Sequence, residues 1–221
     1  MVSIFCKSVV RCLGITLNTP SSLSGWLKTF IISEKIYFAS SKMTKIPLFF
    51  AHRINTLNEL CALPKSIGLE IDIRDYNGLL YLSHDPFCNI DELCEFNFHF
   101  IEKLYNRPLI INIKSESIEP YVESLLIKAG YLGEYFYLDS SFSVINKYGS
   151  SIPIAARLSD FEPLDVCQRL VGSNLINWVW IDTFHNLPLS ESSVEYFVSS
   201  GMKTCLTSPD LLGRPEDIIP Y

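Results

Sequence analysis

Ile67-Gly68-Leu69-Glu70-Ile71-Asp72-Ile73 is the stretch on which the fold turns. Its apolar and acidic residues alternate, and in a strand successive side chains point to opposite faces. The aliphatic residues therefore share one face, and Glu70 and Asp72 share the other. Their α-carbons are on the order of 6–7 Å apart, close enough for both carboxylates to converge on one hard cation. Burying two unpartnered carboxylates is costly, and a cation removes that cost. The competing reading is an edge strand with a solvated acidic face.

Working outward, Asn77-Gly78 separates this stretch from Leu79-Leu80-Tyr81-Leu82-Ser83, the strongest short hairpin signal. Further apolar runs follow at 46–51, 108–113, 135–139, 152–157, 176–182 and 202–207, with helical patterns such as 118–129 and 190–199 between them. Repeated strand–helix alternation predicts a parallel sheet with helices outside, an α/β fold of the TIM-type β/α-barrel kind. With the hairpin return set aside, seven parallel strands are counted where a complete barrel has eight. Pro215 to Ile218 reads as the start of a last helix, so the barrel is expected to lack its eighth strand through C-terminal truncation.

The 221 residues, 48% of them hydrophobic and 13% aromatic, suffice for one substantial core, and the mean hydropathy is +0.21. A net charge of −6 argues against a nucleic-acid groove. Cysteines 6, 12, 61, 88, 94, 167 and 205 form no Cys-x-x-Cys pair, which reads as reduced packing thiols in an intracellular, cytoplasmic protein. Residues 1–42 differ from the rest, setting Lys7, Arg11, Lys28, Lys35 and Lys42 against Glu34 alone. They are read as a peripheral extension, either dispensable or a targeting or membrane-touching segment, and 43–221 as the barrel domain. No run is long enough for a transmembrane span. Within the extension, 30–38 is the candidate to cover the missing strand.

The chemistry is carried where strands end. His52 and Arg53 follow directly on the first strand of the domain, and His84-Asp85 follows the hairpin return. Catalytic groups of such barrels sit at the C-terminal ends of strands, and two histidines titrating near neutrality can serve as general base and general acid. Arg157 and Asp182 also end strands; they either recognise substrate at the mouth or close its rim as an ion pair. His99 and His185 have no supporting neighbours and are read as structural or exposed.

Ala51-His52-Arg53, Gly68-Leu69-Glu70-Ile71-Asp72, Leu80-Tyr81-Leu82-Ser83-His84-Asp85-Pro86 and Ile111-Asn112-Ile113-Lys114 together resemble the glycerophosphodiester phosphodiesterase family. Its relatives among phosphatidylinositol phospholipases C and sphingomyelinase D-type enzymes share the likeness. The resemblance spans 51–114; the later chain matches only as strand rhythm. It implies that His52 and His84 exchange protons with the attacking and leaving oxygens of a small-molecule phosphodiester. Glu70, Asp72 and the residue at 112 would hold a divalent cation, Mg2+ or Ca2+, and Lys114 and Arg53 would contact the phosphate.

Two positions depart from the pattern. Ile54 stands where the family has Gly, so the first loop must take another path if a positive φ is required there. Asn112 stands in place of a third acidic ligand; its amide oxygen can still ligate, without the charge, unless Glu116 or Asp182 helps. Two other classes compete with the phosphodiesterase: a non-catalytic barrel binding a phosphorylated ligand or partner, and an aldolase-type barrel with Lys114 as Schiff-base nucleophile.

Overall fold

The computed structural model describes residues 30–34 and 48–214 of the chain. In chain order the strands are β1 (Phe30–Glu34), β2 (Leu48–Ala51), β3 (Gly68–Tyr76), β4 (Leu79–Leu82), β5 (Cys94–Glu95), β6 (Leu109–Ile113), β7 (Tyr135–Leu138), β8 (Ala155–Leu158), β9 (Trp178–Ile181) and β10 (Lys203–Thr207). The helices are α1 (Leu57–Ala62), α2 (Phe98–Lys103), α3 (Glu119–Lys128), α4 (Phe142–Tyr148), α5 (Leu164–Gly172) and α6 (Glu191–Ser199). These elements fall into two compact units, one built on Phe50–Ala155 with Asn174–Ile176, the other on Ala156–Ser173, the described chain from Asn177 onward, and the described chain before Phe50.

In the first unit β3 is central. It pairs in parallel with β2 through Phe50↔Gly68 and Ala51↔Leu69, and with β6 through Leu69↔Leu109 to Ile73↔Ile113. Gly68 makes the β2 pairing feasible, because a Cβ there would stand 2.5 Å from Cδ1 of the Phe50 ring. β6 continues in parallel to β7. The hairpin forms as expected: Ile73–Tyr76 pair antiparallel with Leu79–Leu82, and Asn77 and Gly78 both adopt positive φ, 50° and 80°, the geometry of a type I′ turn. The strand therefore runs to Tyr76, beyond the Ile73 at which the alternation ends.

Glu70 and Asp72 are both 0% exposed, so the solvated edge-strand reading is overturned: β3 has neighbours on both sides and its acids face inward. Leu69, Ile71 and Ile73, also fully buried, take the opposite face. The expected strand at 152–157 opens only at Ala155. Pro153 has no N–H to give a ladder, and Ile154 makes an isolated bridge to Tyr137.

In the second unit β10 pairs in parallel with β9, and the Asp182 N–H bonds the Leu158 carbonyl. On its other side β10 takes β1 antiparallel, Ile31↔Thr207 to Glu34↔Thr204. A strand thus forms at Phe30–Glu34, within the 30–38 stretch, and these five residues are the part of the 1–42 extension that is described. The start of a last helix at Pro215–Ile218 lies outside the described residues. Each unit is mixed α/β with parallel strands, the coarse form of the expected architecture. Among the described residues no helix is long and apolar enough to cross a membrane, and Cys61, Cys88, Cys94, Cys167 and Cys205 are free thiols.

Candidate active site

The β2–β3 register sets His52 at the level of Glu70, and the β3–β6 register sets Asn112 beside Asp72. The first unit thereby gathers His52, Arg53, Glu70, Asp72, His84, Asn112 and Lys114. His52 Nε2 lies 3.6 Å from Glu70 Oε2. Burial, then the charges of Arg53, His84 and Lys114, push the His52 pKa down to about 4, so the ring is a neutral base at physiological pH. Burial and the neighbouring Asp72 push Glu70 up to about 8, against the hydrogen bonds it accepts from the Arg53 backbone and Asn112 and the charge of Lys114.

The loop after β2 follows a path that explains Ile54. The left-handed residue is Arg53, with φ 56°, and not the one after it. This conformation is uncommon for a non-glycine residue and costs on the order of 1 kcal/mol. It turns the Arg53 N–H onto Glu70 Oε2 at 2.7 Å, and the Ile54 N–H then bonds the Glu70 carbonyl at 2.8 Å. The guanidinium reaches the other histidine, Arg53 Nη2 to His84 Nε2 at 2.7 Å. Since Arg only donates, His84 Nε2 accepts here, and its Nδ1 donates to Asp85 Oδ1 at 2.8 Å.

Asn112 donates from Nδ2 to Glu70 Oε1 at 3.0 Å, which leaves its Oδ1 buried without a hydrogen-bond partner. Asp72 Oδ1 is likewise buried and lacks a hydrogen bond. Lys114 Nζ stands 3.7 Å from that Asp72 Oδ1 and 3.3 Å from Asp139 Oδ2. Two orphaned buried oxygens beside Glu70 fit a hard cation. Among the described residues no group of three or more His, Cys, Asp or Glu could hold a metal ion. Glu116 does not supply the third acid; it is exposed and accepts from Ser141 Oγ.

Arg157 and Asp182 lie in the second unit and meet each other there, Arg157 Nη1 donating to Asp182 Oδ2. Asp182 Oδ1 accepts from Trp180 Nε1 at 2.9 Å and from Thr207 Oγ1 at 2.8 Å. Both carboxylate oxygens are thus engaged within the unit, the ion-pair arrangement. His99 is exposed, and His185 is an exposed ring 3.5 Å from Asp160 Oδ2.

Two residues of the site escape sequence reading. Asp139, just after β7 with φ 64°, pairs with Lys114 at 3.3 Å; its position at the end of the 135–139 run was the signal that could have found it. Asn55 bonds Asp72 twice. A local signal existed for its setting, since Thr56-x-x-Glu59 is a capping box that fixes where α1 begins.

No protein-family model and no curated protein matches the chain. Two solved structures to which it is similar carry glycerophosphodiester phosphodiesterase descriptions. One, from Agrobacterium tumefaciens str. C58, is 15% identical over 67% of this chain and 78% of that chain, with a TM-score of 0.49. A second, a putative glycerophosphoryl diester phosphodiesterase from the same organism, is 11% identical over 69% and 81%, with a TM-score of 0.47. The functional reading rests instead on the side chains.

Proposed function

We propose that the chain cleaves a phosphodiester of the glycerophosphodiester type by histidine acid–base catalysis at this site. One observation carries the reading: a fully buried Glu70/Asp72 pair with orphaned oxygens on Asp72 and Asn112, His52 3.6 Å from Glu70, and Arg53 linking Glu70 to His84.

His52, neutral and beside Glu70, takes the proton of the attacking hydroxyl. His84 returns a proton to the departing alkoxide, so one P–O bond forms, one breaks, and the proton count balances. For that, His84 Nε2 must carry a proton, which the Arg53 contact blocks in the resting site. The substrate phosphate offers the guanidinium a stronger, bidentate partner, and Arg53 leaves the ring as it engages the anion. Lys114, paired with Asp72 and Asp139, adds positive charge for the phosphate. Glu70, Asp72 and the Asn112 amide oxygen would hold a divalent cation, magnesium or calcium, which supplies charge stabilisation to the phosphoryl oxygens when bound.

The test is turnover of bis(4-nitrophenyl) phosphate with magnesium, calcium, manganese or chelator, in the wild type and in His52→Ala. Loss of ~10²–10⁴-fold in the variant is expected of a general base.

A second reading, a non-catalytic binder of a phosphorylated ligand, is favoured by the Asn112 amide, which already satisfies Glu70 without a cation. It predicts phosphate-ester binding with no turnover in any metal.

A further inference from the structure

The acids of β3 are held in place by a residue that belongs neither to the strand nor to the reactive groups. We infer that Asn55 is the positioning residue of the acid pair: its side-chain amide grips Asp72 at two points and so decides which carboxylate oxygen faces the site. The inference rests on the reading of Glu70 and Asp72 as the acids of the reactive site.

The grip uses both ends of one planar amide. Asn55 Nδ2 donates to Asp72 Oδ2 at 2.9 Å, and Asn55 Oδ1 accepts from the Asp72 backbone N–H at 2.9 Å. With Oδ2 taken, Oδ1 is the oxygen left over, buried, without a hydrogen bond and 3.7 Å from Lys114 Nζ. The carboxylate cannot turn about its last torsion without breaking the Nδ2 bond. Residues supporting the direct ligands or reactive groups of a site in this way commonly govern its performance.

Asn55 is itself fixed from behind. The left-handed Arg53 sends 53–55 alongside β3, with the Arg53 and Ile54 N–H groups on Glu70 and the Asn55 side chain on Asp72. Glu59 Oε2 then accepts from the N–H groups of Asn55 at 3.2 Å and Thr56 at 3.1 Å, and from Thr56 Oγ1 at 2.9 Å. One glutamate in the first turn of α1 thus anchors the loop, and the loop holds both acids.

The chemistry requires asparagine. The position needs one donor and one acceptor on a short planar group. Aspartate keeps an acceptor for the Asp72 N–H but sets a carboxylate against a carboxylate, and alanine removes both contacts.

The experiment compares wild type, Asn55→Ala and Asn55→Asp by three measurements: amide hydrogen exchange at Asp72 by NMR, manganese(II) affinity of the full chain, and turnover of bis(4-nitrophenyl) phosphate. Melting temperature serves as a check on the fold. Asn55→Ala should speed exchange at Asp72 selectively over Ile71 and Ile73. Asn55→Asp should leave that amide protected. Both variants should lose ~10–100-fold in manganese affinity or turnover, with kcat falling more than KM rises. The inference is overturned if Asp72 exchange in Asn55→Ala equals that of wild type, or if both variants keep wild-type affinity and turnover. A wild type that neither binds manganese nor turns over the ester sinks the phosphodiesterase reading, while the exchange comparison still decides the grip.

Discussion

Arg53 Nη2 lies 2.7 Å from His84 Nε2, and the same residue, at φ 56°, donates its backbone N–H to Glu70 Oε2. One strained residue thereby joins the histidine of the hairpin return to the acid pair of β3. Replacing it separates its two roles. Arg53→Gly keeps the N–H and relieves the left-handed strain, so the melting temperature should hold or rise, by a stability gain of about 1 kcal/mol or less. Phosphodiester turnover should fall at least ~10-fold, because the guanidinium is gone. A variant with full turnover would remove Arg53 from the proposed phosphate contacts.

The buried acid predicts how stability depends on pH in chelator. Glu70 titrates at about 8 in the folded chain against 4.5 unfolded, so the folded state holds a proton that the unfolded chain has lost across that window. Stability from this group is complete below 4.5 and declines as pH rises towards 8. His52 acts oppositely, its contribution growing from about 4 to 6.5. The two offset each other at first, and Glu70 acts alone above 6.5. Denaturant unfolding should therefore show stability falling from pH 6.5 to 8, with a slope of at most ~1.4 kcal/mol per unit. Glu70→Gln should flatten it, and so should a bound divalent cation.

Gly68 is the contact point of β2 and β3, its missing Cβ leaving room for the Phe50 ring. Gly68→Ala should cost about 1–3 kcal/mol as an overpacked core site. Because this pairing sets His52 at the level of Glu70, turnover should fall further than the lost stability explains. Pairing the change with Phe50→Leu should restore part of the melting temperature, and failure to do so would place the strain elsewhere.

Asp182 binds Arg157, Trp180 and Thr207 at once while nearly fully buried. Asp182→Ala removes the acceptor shared by Arg157, Trp180 and Thr207, while Glu162 stays 3.6 Å from Arg157 Nε, and should destabilise by ~3–5 kcal/mol, as breaking a buried pair does. Chemical denaturation measures this. A loss below 1 kcal/mol would show that the network is not structural and return Asp182 to the substrate-binding candidates.

Much of the frame is written locally. The alternation of 67–73 put both acids on one face, since strand side chains have a period of two; Asn77-Gly78 announced its turn because both positions need positive φ, which those residues tolerate. The helices at 118–129 and 190–199 formed within a residue or two of their patterns, as α3 and α6. Burial of the acid pair was not local, because it required β2 and β6 on either side of β3 to exclude water.

The partner of each polar atom was decided by tertiary structure alone. That Asn112 donates to Glu70, that Lys114 pairs with both Asp72 and Asp139, and that Asn55 rather than a charged group grips Asp72 all depend on inter-strand register and on the turn at Arg53. A sequence states which face a side chain takes, because that follows from the geometry of one strand. It does not state what waits on that face, because shifting a neighbouring strand by one residue would exchange every partner.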